Sequence, residues 1–152
     1  MKKVFAVICA VAILMSLSVT AFAANTTGGD ADITTSIAPT YTVTIPADVN
    51  VVFNATETAF GAIEVTASQI HPDKQIRVTL TTDGELNNTI DTTKVIPYVI
   101  KDASGAAFTT ATYLTEGDKT ELSIHITADD WNAAYAGDYT DTVTFTVSYE
   151  SK

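Results

Sequence analysis

A single cysteine, Cys9, is present in the 152 residues, and it lies within the apolar run that opens the chain. The residues beyond that run have no thiol with which to form a disulfide or hold a soft metal, so stability must come from a packed core. Basic residues are scarce as well, eight Lys and Arg against eighteen Asp and Glu. Nucleic acid and anionic membrane both require clustered Lys and Arg, and no such cluster occurs after Lys3, which excludes both as partners. The only histidines are His71 and His125. There is no Cys/His metal spacing, no Gly-rich phosphate loop and no nucleophile motif, so no enzymatic activity and no cofactor are expected. An amphipathic helix of ordinary length is missing too, which removes helical bundles and α/β folds from consideration.

What the chain does have begins with a targeting segment. Lys2 and Lys3 form a positive start, residues 4–20 are almost unbroken apolar, and Ala21-Phe22-Ala23 is a small-x-small cleavage site. A single membrane anchor is the alternative, since the run is near the lower limit for crossing a bilayer. The Ala-x-Ala site and the polar residues 25–29 favour cleavage after Ala23. The expected organisation is a signal peptide over residues 1–23, a flexible segment over 24–31 and one β domain over 32–152. Export places the protein outside the cell, secreted or held at the surface, with no membrane contact after processing. Without Lys2 and Lys3, six basic residues face eighteen acids, a net charge of −12. The roughly 129 residues left suffice for one domain with its own core.

Period-two alternation runs through this remainder. From Tyr139 to Tyr149, the positions Tyr139, Val143, Phe145, Val147 and Tyr149 alternate with small hydroxyl residues, Asp141 being the one exception. That pattern predicts a long strand with one face in the core, bent near Gly137, Asp138 and Asp141, against which the other strands are laid. Tyr41, Val43 and Ile45 alternate with threonines up to Pro46; Ile63, Val65 and Ala67 do so with Glu64 and Thr66; Ile76, Val78 and Leu80 with Arg77 and Thr79; Leu122, Ile124 and Ile126 with Ser123 and His125. Ile33 and Ile37 suggest a further edge strand ended by Pro39, and residues 51–53 a short apolar run. Asn87-Asn88 reads as loop after the Asp83-Gly84 turn. Ile96, Tyr98 and Ile100 make a strand that Pro97 assigns to an edge or bulge. Residues 107–114 then return as its hairpin partner after the 102–105 turn, and 116–119 form a second turn. Thr127, with Asp130 three residues on, predicts one or two capped helical turns. Eight or nine short strands at this spacing indicate an all-β fold, an antiparallel Ig-like β-sandwich.

Two segments carry a resemblance. Tyr41-Thr42-Val43-Thr44-Ile45-Pro46-Ala47 resembles the opening of small exported Ig-like surface proteins of Gram-positive, clostridia-like bacteria. The stretch Ala136-Gly137-Asp138-Tyr139-Thr140-Asp141-Thr142-Val143-Thr144-Phe145 resembles the last strand of spore coat protein U-like and pilin-type domains. The resemblance implies a structural or adhesive role with no catalytic residues, and partners that are other surface proteins or further copies of the chain. The chain departs from chaperone–usher pilins in lacking their cysteines and in carrying enough strands to close its own sandwich. It also ends soon after the last strand without a sorting tail, so retention at a surface would need a partner or self-assembly.

A few residues invite chemistry. Asp129, Asp130, Asp138 and Asp141 bracket a short loop and could supply oxygen ligands to Ca²⁺, or serve as a helix cap and a solvated turn. Trp131, the only tryptophan, has Tyr135 and Tyr139 nearby. These rings could stack on a sugar of a polysaccharide, or Trp131 could be a lid that closes one end of the fold, which the neighbouring Ala133 and Ala134 favour. Lys74 and Lys101 are the candidates for an isopeptide link to an asparagine. The expectation is a secreted surface-structural or adhesive module without catalytic activity, with a carbohydrate- or calcium-binding module as the alternative.

Overall fold

The alternation of apolar and hydroxyl residues builds most of the strands in the computed structural model, which describes residues 30–152. The signal peptide expected over 1–23 and most of the 24–31 segment lie outside the described residues. In chain order the strands are β1 (Thr40–Thr44), β2 (Glu57–Gln69), β3 (Lys74–Thr81), β4 (Glu85–Asn88), β5 (Val95–Pro97), β6 (Val99–Asp102), β7 (Thr110–Tyr113), β8 (Lys119–His125), β9 (Tyr139–Thr140) and β10 (Thr144–Ser151). One helix, α1 (Ala128–Ala133), lies between β8 and β9. The described residues are all-β apart from it, in three antiparallel sheets: β1-β2-β8-β6, β10-β3-β7 and β5-β4-β9.

The core lies between the two larger sheets in a sandwich-like arrangement. Ile63 and Val65 of β2 and Ile76 and Val78 of β3 are fully buried, with Leu122 and Ile124 of β8, Ile100 of β6 and Tyr113 of β7 around them. Burial of each such aliphatic side chain contributes roughly 1.5–3 kcal/mol before entropy is counted. Ile96, Tyr98, Ile126 and Trp131 extend the same cluster toward the smaller sheet.

Several expectations are corrected. The C-terminal run is not the centre of the fold. It divides into β9, paired with β4, and β10, an edge strand paired only with β3. Phe145, Val147 and Tyr149 are half-buried rather than buried, because an edge strand has neighbours on one side only. Residues 33–37 form no strand, and Ile33 is 99% and Ile37 62% exposed. Asn87 and Asn88 are not loop but part of β4, and Asn88 is buried. Residues 107–114 do not return as a full hairpin partner: after a single bridge between Lys101 and Ala107 the chain crosses to pair β7 with β3.

Pro97 acts as its chemistry requires. It has no N–H to donate, and the chain changes sheets there, from β5 at one sheet's edge to β6 at another's. At the helix, Thr127 Oγ1 accepts the Asp130 N–H at 3.1 Å, the cap that the Thr127/Asp130 spacing predicted. Asp118 closes the turn before β8 by accepting the N–H groups of Leu114 and Thr115 at 2.7 and 2.9 Å.

Candidate functional site

The strands β1 and β10 are outer strands of the two larger sheets, and they flank the same side of the core. The rings of Tyr41 and Tyr149 meet across that side at 5.7 Å, and those of Phe60 and Phe145 at 6.0 Å. Yet β1 hydrogen-bonds only to β2 and β10 only to β3, so both outer edges are free of backbone partners among the described residues. The two sheets meet on that side through ring packing rather than backbone pairing.

Where β1 ends and β10 begins lies a cavity of about 590 Å³, the groove, lined also by Leu86, Tyr98, Ile100 and Ile124. Val43 and Ile45 line it from β1 and its continuation, Val49 and Val51 from the following loop, and Val143 and Phe145 from the start of β10. Two local features of the sequence shape it. Pro46 ends β1 directly after Ile45. In β2 the register slips between Ala59 and Gly61, and Gly61 adopts φ +116°, a conformation that favours glycine. The bulge leaves Phe60 without a cross-strand partner and directs its ring to the groove, where it meets Phe145.

A polar knot anchors one end of this wall. The Tyr98 hydroxyl donates to Asp141 Oδ2 in a short hydrogen bond, and Thr82 Oγ1 lies 2.7 Å from that hydroxyl. Thr82 Oγ1 also accepts the Gly84 N–H at 2.9 Å, and Asp141 Oδ1 accepts the Thr142 N–H at 2.6 Å. Burial, and then the adjacent Asp141 carboxylate, push the Tyr98 phenol well above its ordinary range. Asp141, the one acid in the alternating C-terminal run, holds the chain at the step between β9 and β10. Nothing in the composition of the groove provides a free acid–base pair; it offers apolar surface beside unoccupied strand edges.

The residues singled out in the sequence are not brought together. Among the described residues no three His, Cys, Asp or Glu side chains are grouped to hold a cation. Asp130 accepts the Thr127 hydroxyl at 2.5 Å, Asp141 is engaged by Tyr98, Asp129 is exposed in the first turn of α1, and the Asp138 carbonyl accepts the Thr89 N–H. Trp131 is buried, its Nε1–H donating to the Ala55 carbonyl at 2.8 Å and its ring meeting Phe53 edge-on at 5.5 Å. Its ring face is thus not presented to a sugar, and its packing is that of a lid. Tyr135 is exposed, with the Lys94 ammonium 4.9 Å from its ring centre. Lys74 Nζ donates to Ser151 Oγ at 2.7 Å.

His125 has neighbours that sequence reasoning did not identify. Ser123 Oγ lies 3.0 Å from its Nε2, and Glu57 Oε1 lies 3.7 Å from the same nitrogen. In a nucleophile–His–acid relay the acid holds the other ring nitrogen, so that the first is free to take the nucleophile's proton. Here a serine two residues back on β8 and a carboxylate opposite on β2 share one nitrogen on a strand surface, which is not the geometry of a relay. Comparison of the chain with protein-family models, with curated proteins and with solved structures finds no match.

Proposed function

We propose that this chain is an exported, non-catalytic structural or adhesive module with an immunoglobulin-like sandwich, acting at or released from a cell surface through docking along the groove between β1 and β10. The observation that carries this reading is the groove itself: apolar walls from Val43, Phe60, Val143 and Phe145 next to two strand edges with free backbone groups. Such edges are ready to pair with another extended chain unless they are covered. The leader-like opening, the acidic composition and the resemblance of residues 41–47 and 136–145 to surface and coat proteins agree with it.

Two measurements test the reading. Intact mass of the protein from the culture medium or cell surface should match a chain beginning at Ala24; a cytoplasmic protein that keeps Lys2 and Lys3 would defeat export. Val143→Arg, which places a charge at the rim of the groove, should abolish association of the purified protein with itself and with the surface of producing cells. Retention of both associations, with an unaltered melting temperature, would remove the groove from the account.

A further inference from the structure

We infer that the groove binds a small amphiphilic amine, its aliphatic body seated among Val43, Leu86, Ile100 and Ile124 and its ammonium group at Asp141. The inference takes the groove from the geometry above and goes beyond the docking reading, because its occupant is a small molecule and not another protein. A volume of about 590 Å³ is within the range of pockets that enclose small ligands. Elsewhere the core is closed, with Ile63, Val65, Ile76 and Val78 at 0% exposure. At the groove, by contrast, Val43, Ile100 and Ile124 of the same core border an open space.

The walls of that space are fixed by the fold. Pro46 packs over Gly61, where a Cβ would lie 3.5 Å from Pro46 Cβ. The loop that continues from Pro46 is tied at its other end, where the Trp131 Nε1–H donates to the Ala55 carbonyl. On the facing side Asp141 is held by Tyr98 and by the Thr142 N–H. A site that needs no ordering keeps more of its contact energy as affinity.

Charge selects the head group. Asp48 and Asp141 line the groove, and no Lys, Arg or His does. Among the described residues neither carboxylate forms an ion pair. The hydrogen bonds that Tyr98 and Thr142 donate to Asp141 come from neutral groups, so they orient the carboxylate and leave its charge uncompensated. A carboxylate has about four acceptor positions, which leaves room for an ammonium on Oδ1. Thr140 and Thr142 line the same groove on either side of Asp141 in the chain and bring hydroxyl oxygens for the remaining ammonium hydrogens. An anionic amphiphile meets repulsion at this place, and a neutral one gains only the apolar contact.

The test is calorimetric titration of the full processed chain with octylamine, octanol and octanoate at neutral pH, where the alkylamine is protonated. Octylamine should bind about tenfold more tightly than octanol, as expected of one charge-assisted contact, and octanoate should not bind. Asp141→Asn should remove most of that preference and leave octanol binding in place. Asp129→Asn, at an exposed acid of α1 outside the groove, should keep the preference intact, which separates the site from attraction to an acidic surface. Ile45→Trp and, independently, Val49→Trp, both at partly exposed groove positions, should block all binding with an unaltered melting temperature. Octylamine that does not bind, octanoate that binds equally well, an equal loss in Asp129→Asn and Asp141→Asn, or binding that survives both tryptophan variants would overturn the inference. The docking reading is judged separately by Val143→Arg. If that variant loses association while octylamine does not bind the wild type, only the small-ligand inference fails. If it keeps association while octylamine binds the wild type, the docking reading fails and the ligand site stands.

Discussion

At the scale of single residues, Trp131 and Asn88 hold parts of the chain that have no sheet to hold them. Trp131 closes the core at α1 and ties the 52–55 turn to it through the Ala55 carbonyl. Trp131→Ala should lower stability by about 3–5 kcal/mol in a denaturant titration, and an unchanged midpoint would show that the ring is not a lid. Buried Asn88 accepts the N–H groups of Ile90 and Asp91 at 2.9 and 3.1 Å, forming the turn after β4 with its side chain. Gly137 leaves room for it: a Cβ there would lie 2.6 Å from Asn88 Nδ2, and φ is +145°. Gly137→Ala should therefore cost roughly 2 kcal/mol, partly from backbone strain and partly from displacement of Asn88, which thermal melts of the variant would reveal. Gly137 was legible in the sequence as the site of a bend, but its contact with Asn88 was not. Asn88 followed another asparagine and read as loop, because the preference of Asn for turns does not distinguish a loop from the last residue of a strand.

Among the elements, β1, β3, β8 and residues 63–67 of β2 were legible because period-two alternation runs through them and each has one face on the core, whereas the first half of β2 was hidden by its bulge between Ala59 and Gly61. The C-terminal run misled for a physical reason: alternation reports that two faces differ, not how deeply the apolar one is buried. β10 has a neighbour only on its β3 side, so Phe145 packs on Phe60 in the groove instead of inside the core. Ile76→Ala in β3 should cost about 4 kcal/mol, Phe145→Ala about half as much, and Thr144→Ala well under about 1. Equal losses for Ile76 and Phe145 in urea titrations would mean that β10 is as deeply covered as β3. The sheet change at Pro97 was half legible. Proline announced an edge or a bulge, but two edges in different sheets depend on pairings distant in sequence. For the same reason the groove had no signature of its own, since it exists only where β1 and β10 come to lie side by side.

For the molecule as a whole, charge governs the response to pH and salt. Several carboxylates are held below their ordinary range: Asp91 by the Thr93 hydroxyl, Asp102 by that of Ser104, Asp118 by the Leu114 and Thr115 N–H groups, and Glu150 by Arg77 and then Gln75. A carboxylate with a lower pKa folded than unfolded stabilises the fold above its ordinary value near about 4, and that contribution is lost as pH falls through the folded value. Protonation also relieves the mutual repulsion of an acidic molecule, so the clean comparison is between variants. Asp118→Asn should be less stable than the wild type near neutral pH, and the difference should close as the pH drops toward about 2. A difference that stayed constant across that range would mean that the Asp118 carboxylate does not act through its charge.

The exposed segment before β1 has one more property. After Lys3 the next basic residue is Lys74, and in residues 30–40 there is no aromatic residue; the first, Tyr41, is already inside β1. Trypsin-like and chymotrypsin-like proteases therefore find none of their preferred side chains in the most accessible stretch of the described chain. An extended arm is ordinarily the first part of an exported protein to be trimmed. This one offers the commonest digestive specificities no preferred side chain, so limited digestion with trypsin or chymotrypsin should leave residues 30–40 uncut.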